Sequence, residues 1–259
     1  MAQSHPTRKA WAVLSELSGA IVLASISLIT LLFVWIGAEV GEGQTKRFDS
    51  RVLLALRQPG DLAQPIGPHW LKSAMVDLTA LGGVTVLTLT TLLAIGSLLV
   101  QRKRAHALLI GIAVGGGAVL SALLKMGYAR PRPTIVAHLV EVTSSSFPSG
   151  HAMNSAVTYL TLGALLARAV PDHRLKVYLL WVGVLLTMLV GISRVFLGVH
   201  WPTDVMAGWA VGSAWAGLCW FAAERLNAQH QRTRVRQSAG ASVQGRMKSW
   251  PERNSCSNL

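Results

Sequence analysis

Two histidines, four basic side chains and one carboxylate fall in three short stretches of this chain, and together they have the parts of a phosphoryl-transfer site. The first stretch, Lys125-Met-Gly-Tyr-Ala-Arg-Pro-Arg132-Pro133, follows an apolar run. Gly127, Pro131 and Pro133 stop a helix there and hold the chain extended. Lys125 and Arg132 then project near one point of an interface. The second stretch, Phe147-Pro148-Ser149-Gly150-His151, opens another apolar run. Ser149 is placed as an N-cap, and Gly150 lets backbone amides approach a ligand. A helix N-terminus binds anions through its free amides and its dipole, so His151 would stand beside a bound anion. The third stretch begins at Ser193-Arg194, with His200 six residues after Arg194 and Asp204 four after His200. Pro202 suits a first helical turn, which leaves Asp204 within reach of His200. A carboxylate on one ring nitrogen fixes the tautomer and frees the other nitrogen to attack.

Taken singly, each stretch has an ordinary explanation: snorkelling cations at an interface, a cap with an incidental histidine, a structural His–Asp pair. Together they make a cage. Arginine forks match phosphate oxygens, and Lys125, Arg132 and Arg194 would stabilise charge on a transferring phosphoryl group. One histidine would be the nucleophile and the other the general acid, because an ordinary imidazole pKa of about 6.5 suits both tasks. Only the pairing with Asp204 favours His200 as the nucleophile. His151, His200 and Asp204 are also a possible two-histidine, one-carboxylate metal set. Three nearby cations would repel a divalent ion and would themselves do its charge neutralisation, so no metal and no cofactor is expected.

Six apolar runs must position these groups, at roughly 14–38, 76–100, 105–126, 151–170, 175–195 and 203–222. Each is close to the ~20 residues that cross ~30 Å of hydrocarbon as a helix. None alternates as a barrel strand would. The expected fold is therefore an all-α, six-transmembrane-helix bundle. The apolar stretch of the first run exceeds the ~7–15 residues of a signal core. It reads as a retained anchor, although small residues at Gly37-Ala38 would suit cleavage. Counting Lys and Arg on alternate sides gives fifteen on the side holding both termini and nine on the other. Both termini are then expected in the cytoplasm of an inner-membrane protein. The three chemical stretches fall on the loops after the first, third and fifth helices or at their ends, so the site would face the periplasm or exterior. Segment 39–75 is polar and proline-containing. Within it Phe48, Val52 and Leu56 are four apart, as in a short helix lying on a membrane surface. Gly111-x-x-x-Gly115 and Gly208-x-x-x-Gly212 read as close packing between helices of the same chain. A catalytic domain over 1–223 is followed by a basic, disordered cytoplasmic tail over 224–259, which could touch anionic lipid.

Composition narrows the class. The chain of 259 residues is 51% apolar and only 14% charged, with 24 Lys+Arg against 11 Asp+Glu and a net charge of +13. Soluble domains carry roughly 25% charged residues. No nucleic-acid motif accompanies the positive charge, which leaves anionic membranes or ligands as its partners. Cys219 and Cys256 form no metal-ligand or CxxC spacing.

Lys125 through Arg132-Pro133, then Pro148-Ser149-Gly150-His151, then Ser193-Arg194 through His200 to Asp204, resembles the three-part signature of the type 2 phosphatidic acid phosphatases. These are also called lipid phosphate phosphatases and share their site with vanadium haloperoxidases. The resemblance implies that His200 attacks phosphorus to form a phosphohistidine, that Asp204 orients His200, and that His151 protonates the leaving lipid oxygen. It also implies that Lys125, Arg132, Arg194 and the Ser149–Gly150 region hold phosphate oxygens. Arg130 lies outside the signature and is given no role. Six-helix members imply a lipid substrate: undecaprenyl diphosphate first, then phosphatidylglycerol phosphate or phosphatidic acid. A phosphotransferase moving phosphate from a polyprenyl diphosphate to lipid A or another acceptor would use the same intermediate. Soluble haloperoxidases fit six membrane-length runs poorly. A scaffold or transporter with a relic site fits a complete set of catalytic residue types poorly.

Overall fold

The computed structural model of the protein describes residues 8–142 and 144–248, with side chains from Gly19 to Leu226. Among these the order is α1 (Arg8–Gly41), α2 (Lys46–Ala55), β1 (Arg57–Gln58), β2 (Asp61–Pro65), α3 (His69–Ala80), α4 (Val84–Val100), α5 (Arg104–Tyr128), α6 (Gly150–Ala169), α7 (His173–Phe196) and α8 (Pro202–Lys248). The chain divides into two compact units, Met1–Trp220 and Phe221–Leu259. In the second, α8 continues to Lys248, so the expected boundary at 223/224 falls inside a helix. The expected tail beyond Lys248, with Cys256, lies outside the described residues. The helix packing that positions the site lies within the first unit.

All six apolar runs are helical, and by length and hydropathy four or five of them suit a membrane crossing. Four single segments are long and apolar enough to cross: Gly19–Gly41, Arg104–Tyr128, His173–Phe196 and Pro202–Leu226. The run expected over 76–100 is two helices, α3 and α4, bent by 47° at their junction and adding up to a fifth crossing. The Gly82-Gly83 pair explains the break. Gly83 is extended at the start of α4, and the Leu81 carbonyl instead accepts from the Tyr159 hydroxyl at 2.6 Å. α6 falls short on hydropathy for a physical reason. It is the central helix, packed against α4, α5 and α7, and it buries Ser155, Thr158 and Thr161 rather than facing lipid. Elsewhere the pattern is that of a membrane protein. Leu28, Val84, Val100 and Leu123 are exposed, while Thr91, Thr158, Thr161 and Thr187 are buried. Bare apolar surface of this extent suits lipid better than water.

Close helix approach organises the core. A β-carbon on Gly183 of α7 would lie 2.8 Å from the Tyr159 carbonyl oxygen of α6, and one on Gly208 of α8 would lie 2.7 Å from the Ser149 carbonyl oxygen. Trp209 Nε1 donates to the Thr187 carbonyl at 3.0 Å, and Trp215 Nε1 donates to the Ala113 carbonyl at 2.8 Å. These bonds tie α8 to α7 and α5.

Segment 39–75 is not wholly helical, which departs from the all-α expectation. β1 and β2 form a small antiparallel hairpin with Arg57 opposite Pro65. α2 is present where expected, but its buried face is Asp49 and Leu53. Val52 and Leu56 pack inward beside Leu53, Val136 and Val205, and Phe48 stays half exposed. The helix therefore serves the core as much as any surface.

Candidate active site

The C-termini of α5 and α7 and the N-termini of α6 and α8 meet at one end of the bundle. α5 stops because Ala129 adopts the left-handed conformation, φ 43°, and its amide bonds back to Lys125. The chain then leaves through Pro131 and Pro133. It returns at Ser146, whose amide donates to the Arg130 carbonyl at 2.9 Å. Ser149 caps α6, its hydroxyl accepting from the Ala152 amide, while its own amide donates to the Asp204 carbonyl at 3.0 Å. The Ser149 hydroxyl is thus occupied and buried. The first-turn amides of Gly150 and His151 have no acceptor within their own helix.

His200 sits in the turn between α7 and α8 and is 1% exposed. Its Nδ1 faces Asp204 Oδ2 at 3.5 Å and Ser146 Oγ at 3.3 Å. Its Nε2 faces Arg132 Nη1 at 3.3 Å. Asp204 is wholly buried. Besides His200 it accepts from the Ser146 hydroxyl, the Trp201 amide at 2.9 Å, and Arg130 Nη1. Burial pushes the His200 imidazole down to about 4, against the opposite pull of Asp204. At neutral pH the ring is therefore uncharged, and with a proton on Nδ1 it presents a lone pair at Nε2 beside Arg132.

Arg132 stands at that lone pair, and Arg194 and Lys125 belong to the same cluster of charges. Arg132 Nε donates to the Ser144 carbonyl at 2.7 Å and Nη1 to the Val199 carbonyl at 2.6 Å. Lys125 Nζ donates to the Ser145 carbonyl at 2.6 Å. Arg194, 4% exposed, donates from Nη1 to Thr79 Oγ1 at 3.0 Å, and its Nε has no partner. His151 lies in the field of Arg194, His200, Arg132 and Lys125 and packs against the α3–α4 break, 3.4 Å from where a Gly82 β-carbon would stand. Among the described residues, Lys125, Arg132 and Arg194 bond only to neutral groups, and no carboxylate forms an ion pair with them. Three cations left without a counter-anion make a site for a multiply charged one. No three His, Cys, Asp or Glu side chains among the described residues gather as a metal cage.

Sequence reasoning passed over Arg130, Asp49 and Ser146. Arg130 Nη2 donates to Asp49 Oδ2 at 2.8 Å while Nη1 reaches Asp204. The available signal was charge balance: Arg130, a third cation in the first stretch, needs an acid, and Asp49 lies in the first turn of the short helix α2.

Comparison with known proteins decides the family. Residues 104–228 match the PAP2 superfamily, a span that holds all three stretches. Phosphatidylglycerophosphatase B of Bacillus subtilis strain 168 is 34% identical over 188 residues, 70% of this chain and 86% of that protein. The chain belongs to the PAP2 superfamily. The undecaprenyl-diphosphatase BcrC of the same strain is 33% identical over 147 residues, 54% of this chain and 69% of its own. The crystal structure of the first transmembrane PAP2 type phosphatidylglycerolphosphate phosphatase from Bacillus subtilis matches with a TM-score of 0.71 at 29% identity. It covers 78% of this chain and 96% of that one. With several membrane-length apolar helices and membrane-embedded PAP2 relatives, the protein is an integral membrane protein.

Proposed function

We propose that this PAP2 protein hydrolyses a lipid phosphate or diphosphate without metal, through a phosphohistidine on His200. The observation that carries the reading is the uncharged Nε2 of His200 facing a cage of Lys125, Arg132 and Arg194 that lacks its own anion. In the first step the Nε2 lone pair forms a bond to phosphorus as the phosphorus–oxygen bond to the lipid breaks, and His151, protonated as the substrate's negative charge enters the cage, gives that proton to the leaving oxygen. In the second step water attacks phosphorus as the phosphorus–nitrogen bond breaks and its electron pair returns to His200 Nε2. His151 takes the water's proton, and phosphate leaves. The cage holds the equatorial oxygens in both steps, so most of the rate comes from preorganised charge. Asp204 holds the Nδ1 proton and stabilises positive charge on the ring as phosphate attaches.

Among lipids, phosphatidylglycerol phosphate now ranks with undecaprenyl diphosphate. The relative aligned over 86% of its length is a phosphatidylglycerophosphatase, while undecaprenyl-diphosphatases align over shorter spans. α6, central and polar, is read as the sixth crossing. Both termini are placed in the cytoplasm and the site at the outer face, on the excess of Lys and Arg at the opposite end. The test is free phosphate release by the detergent-purified protein from phosphatidylglycerol phosphate, undecaprenyl diphosphate and phosphatidic acid, with His200→Ala as control. Release lost in the variant supports the reading. A folded protein that releases phosphate from none of them overturns it, and label appearing on a lipid acceptor instead points to phosphotransfer.

A further inference from the structure

Asp49 is the one acid of segment 39–75 that is completely buried, and its three neighbouring donors lead to the nucleophile. Its Oδ1 accepts the Thr203 amide at 3.0 Å. Its Oδ2 accepts the Thr203 hydroxyl at 2.8 Å and Arg130 Nη2 at 2.8 Å. Arg130 then spans to Asp204 through Nη1, which also donates to Thr203 Oγ1 at 2.9 Å. The guanidinium lies over the Trp201 ring, 5.4 Å from its centroid. A continuous series of contacts thus runs Asp49, Arg130, Asp204, His200, with α2 at one end and the reacting nitrogen's ring at the other.

We infer that Asp49 and Arg130 are positioning residues for the nucleophile, fixing Asp204 in place and setting the negative charge behind His200. The inference rests on the phosphatase reading of the site. Arg130 occupies Asp204 Oδ1, which leaves Oδ2 for Ser146, the Trp201 amide and His200. That fixes the carboxylate's rotation. Arg130 alone, however, would neutralise Asp204 and remove the charge that stabilises a phosphorylated, positive imidazole. Asp49 restores it. With both acids ionised around one arginine, the group keeps a net charge of one negative, delivered at Asp204. In a buried setting of low dielectric such a charge is felt strongly. The loop that carries α2, outside the family signature, thereby becomes part of the catalytic support.

A plain structural tie between α2 and α8 makes a different forecast, and the two separate in kinetics. Asp49→Asn removes the charge and keeps the shape. It is expected to lower kcat roughly 10- to 100-fold, by analogy with the loss of an outer carboxylate behind a metal-bound histidine. KM should stay within about threefold, because Asp49 touches none of the phosphate-holding cations. Asp49→Glu, which keeps the charge, should retain more activity than Asp49→Asn. Adding Arg130→Gln to Asp49→Asn removes the arginine that now neutralises Asp204. The double variant should therefore be more active than the product of the two single losses predicts. Purified proteins in detergent are compared by phosphate release, with thermal unfolding as the check on folding. A folded Asp49→Asn with near-normal kcat, or strictly additive losses in the double variant, overturns the inference while leaving the phosphatase reading intact. If Asp49→Asn does not fold, Arg130→Lys replaces it: the charge remains but cannot span two carboxylates. Reduced kcat at constant KM supports the inference, and unchanged kcat overturns it. Wild-type protein releasing no phosphate overturns both readings together.

Discussion

Replacing Gly208 by alanine adds a methyl group where α8 meets the first turn of α6. The new β-carbon would stand 2.7 Å from the Ser149 carbonyl oxygen, 3.0 Å from Ala152 Cβ and 3.2 Å from the Met153 amide nitrogen. Two of these three are backbone atoms, so no side chain can rotate away. Restoring an ordinary contact of 3.4 Å requires α8 and α6 to part by about 0.7 Å locally. His200 lies in the turn before α8 and Asp204 in its first turn, just ahead of this point, and His151 lies in the first turn of α6. The displacement therefore opens the distance between proposed nucleophile and proposed acid. Misplacement by ~1 Å costs on the order of 100-fold in rate, so Gly208→Ala should lower kcat by roughly 10-fold or more. Overpacking should also cost about 1–3 kcal/mol of stability. Gly115→Ala is the matched control: it lies in the other small-residue repeat, and nothing stands within 4 Å of its β-carbon. The assay is initial-rate phosphate release, with melting followed in the same detergent. Wild-type kcat in folded Gly208→Ala, or equal damage from Gly115→Ala, would refute the reasoning.

Three further outcomes are expected. The acidic limb of kcat/KM should lie near pH 4 rather than 6.5, since burial depresses His200 in a setting shared with Asp204, Arg132, Arg194 and His151. Below that value the imidazolium has no lone pair, and a limb near 6.5 would show an ordinary histidine. Activity should persist in excess EDTA, and complete loss restored by Mg²⁺ would contradict a cage built from cations alone. A cysteine at Asp61, exposed at the hairpin tip, should react with an impermeant thiol reagent on intact cells, while one at Gln101 should react only after lysis. The reverse pattern would invert the topology.

Much of this site was legible because its parts are local. Each stretch combines a helix end with a chemical residue, and helix ends are written in Gly, Pro, Ser and Asp at fixed offsets. Ser149 caps α6 and Pro202 opens α8 where those offsets place them. What was not legible depends on distant partners. Asp49 and Arg130 are 81 residues apart, and no periodicity marks them as neighbours. Hydropathy likewise counts apolar residues without knowing which face lipid. α6 shows this: its pattern is that of a crossing, and only the structure reveals that its hydroxyls are buried in the centre of the bundle. The α3–α4 break was visible only as two adjacent glycines within an otherwise apolar run. Its use emerges from tertiary contacts, with Thr79 on Arg194 and Gly82 beside His151.

The central claim is that His200 becomes phosphorylated. A lipid carrying ³²P in its terminal phosphate would be mixed briefly with the purified protein, quenched in alkali to preserve a phosphorus–nitrogen bond, and the labelled peptide mapped. The account predicts label on the peptide holding His200, chased into free phosphate on further incubation and absent from His200→Ala. Label on any other residue, or undiminished phosphate release by His200→Ala, would contradict it.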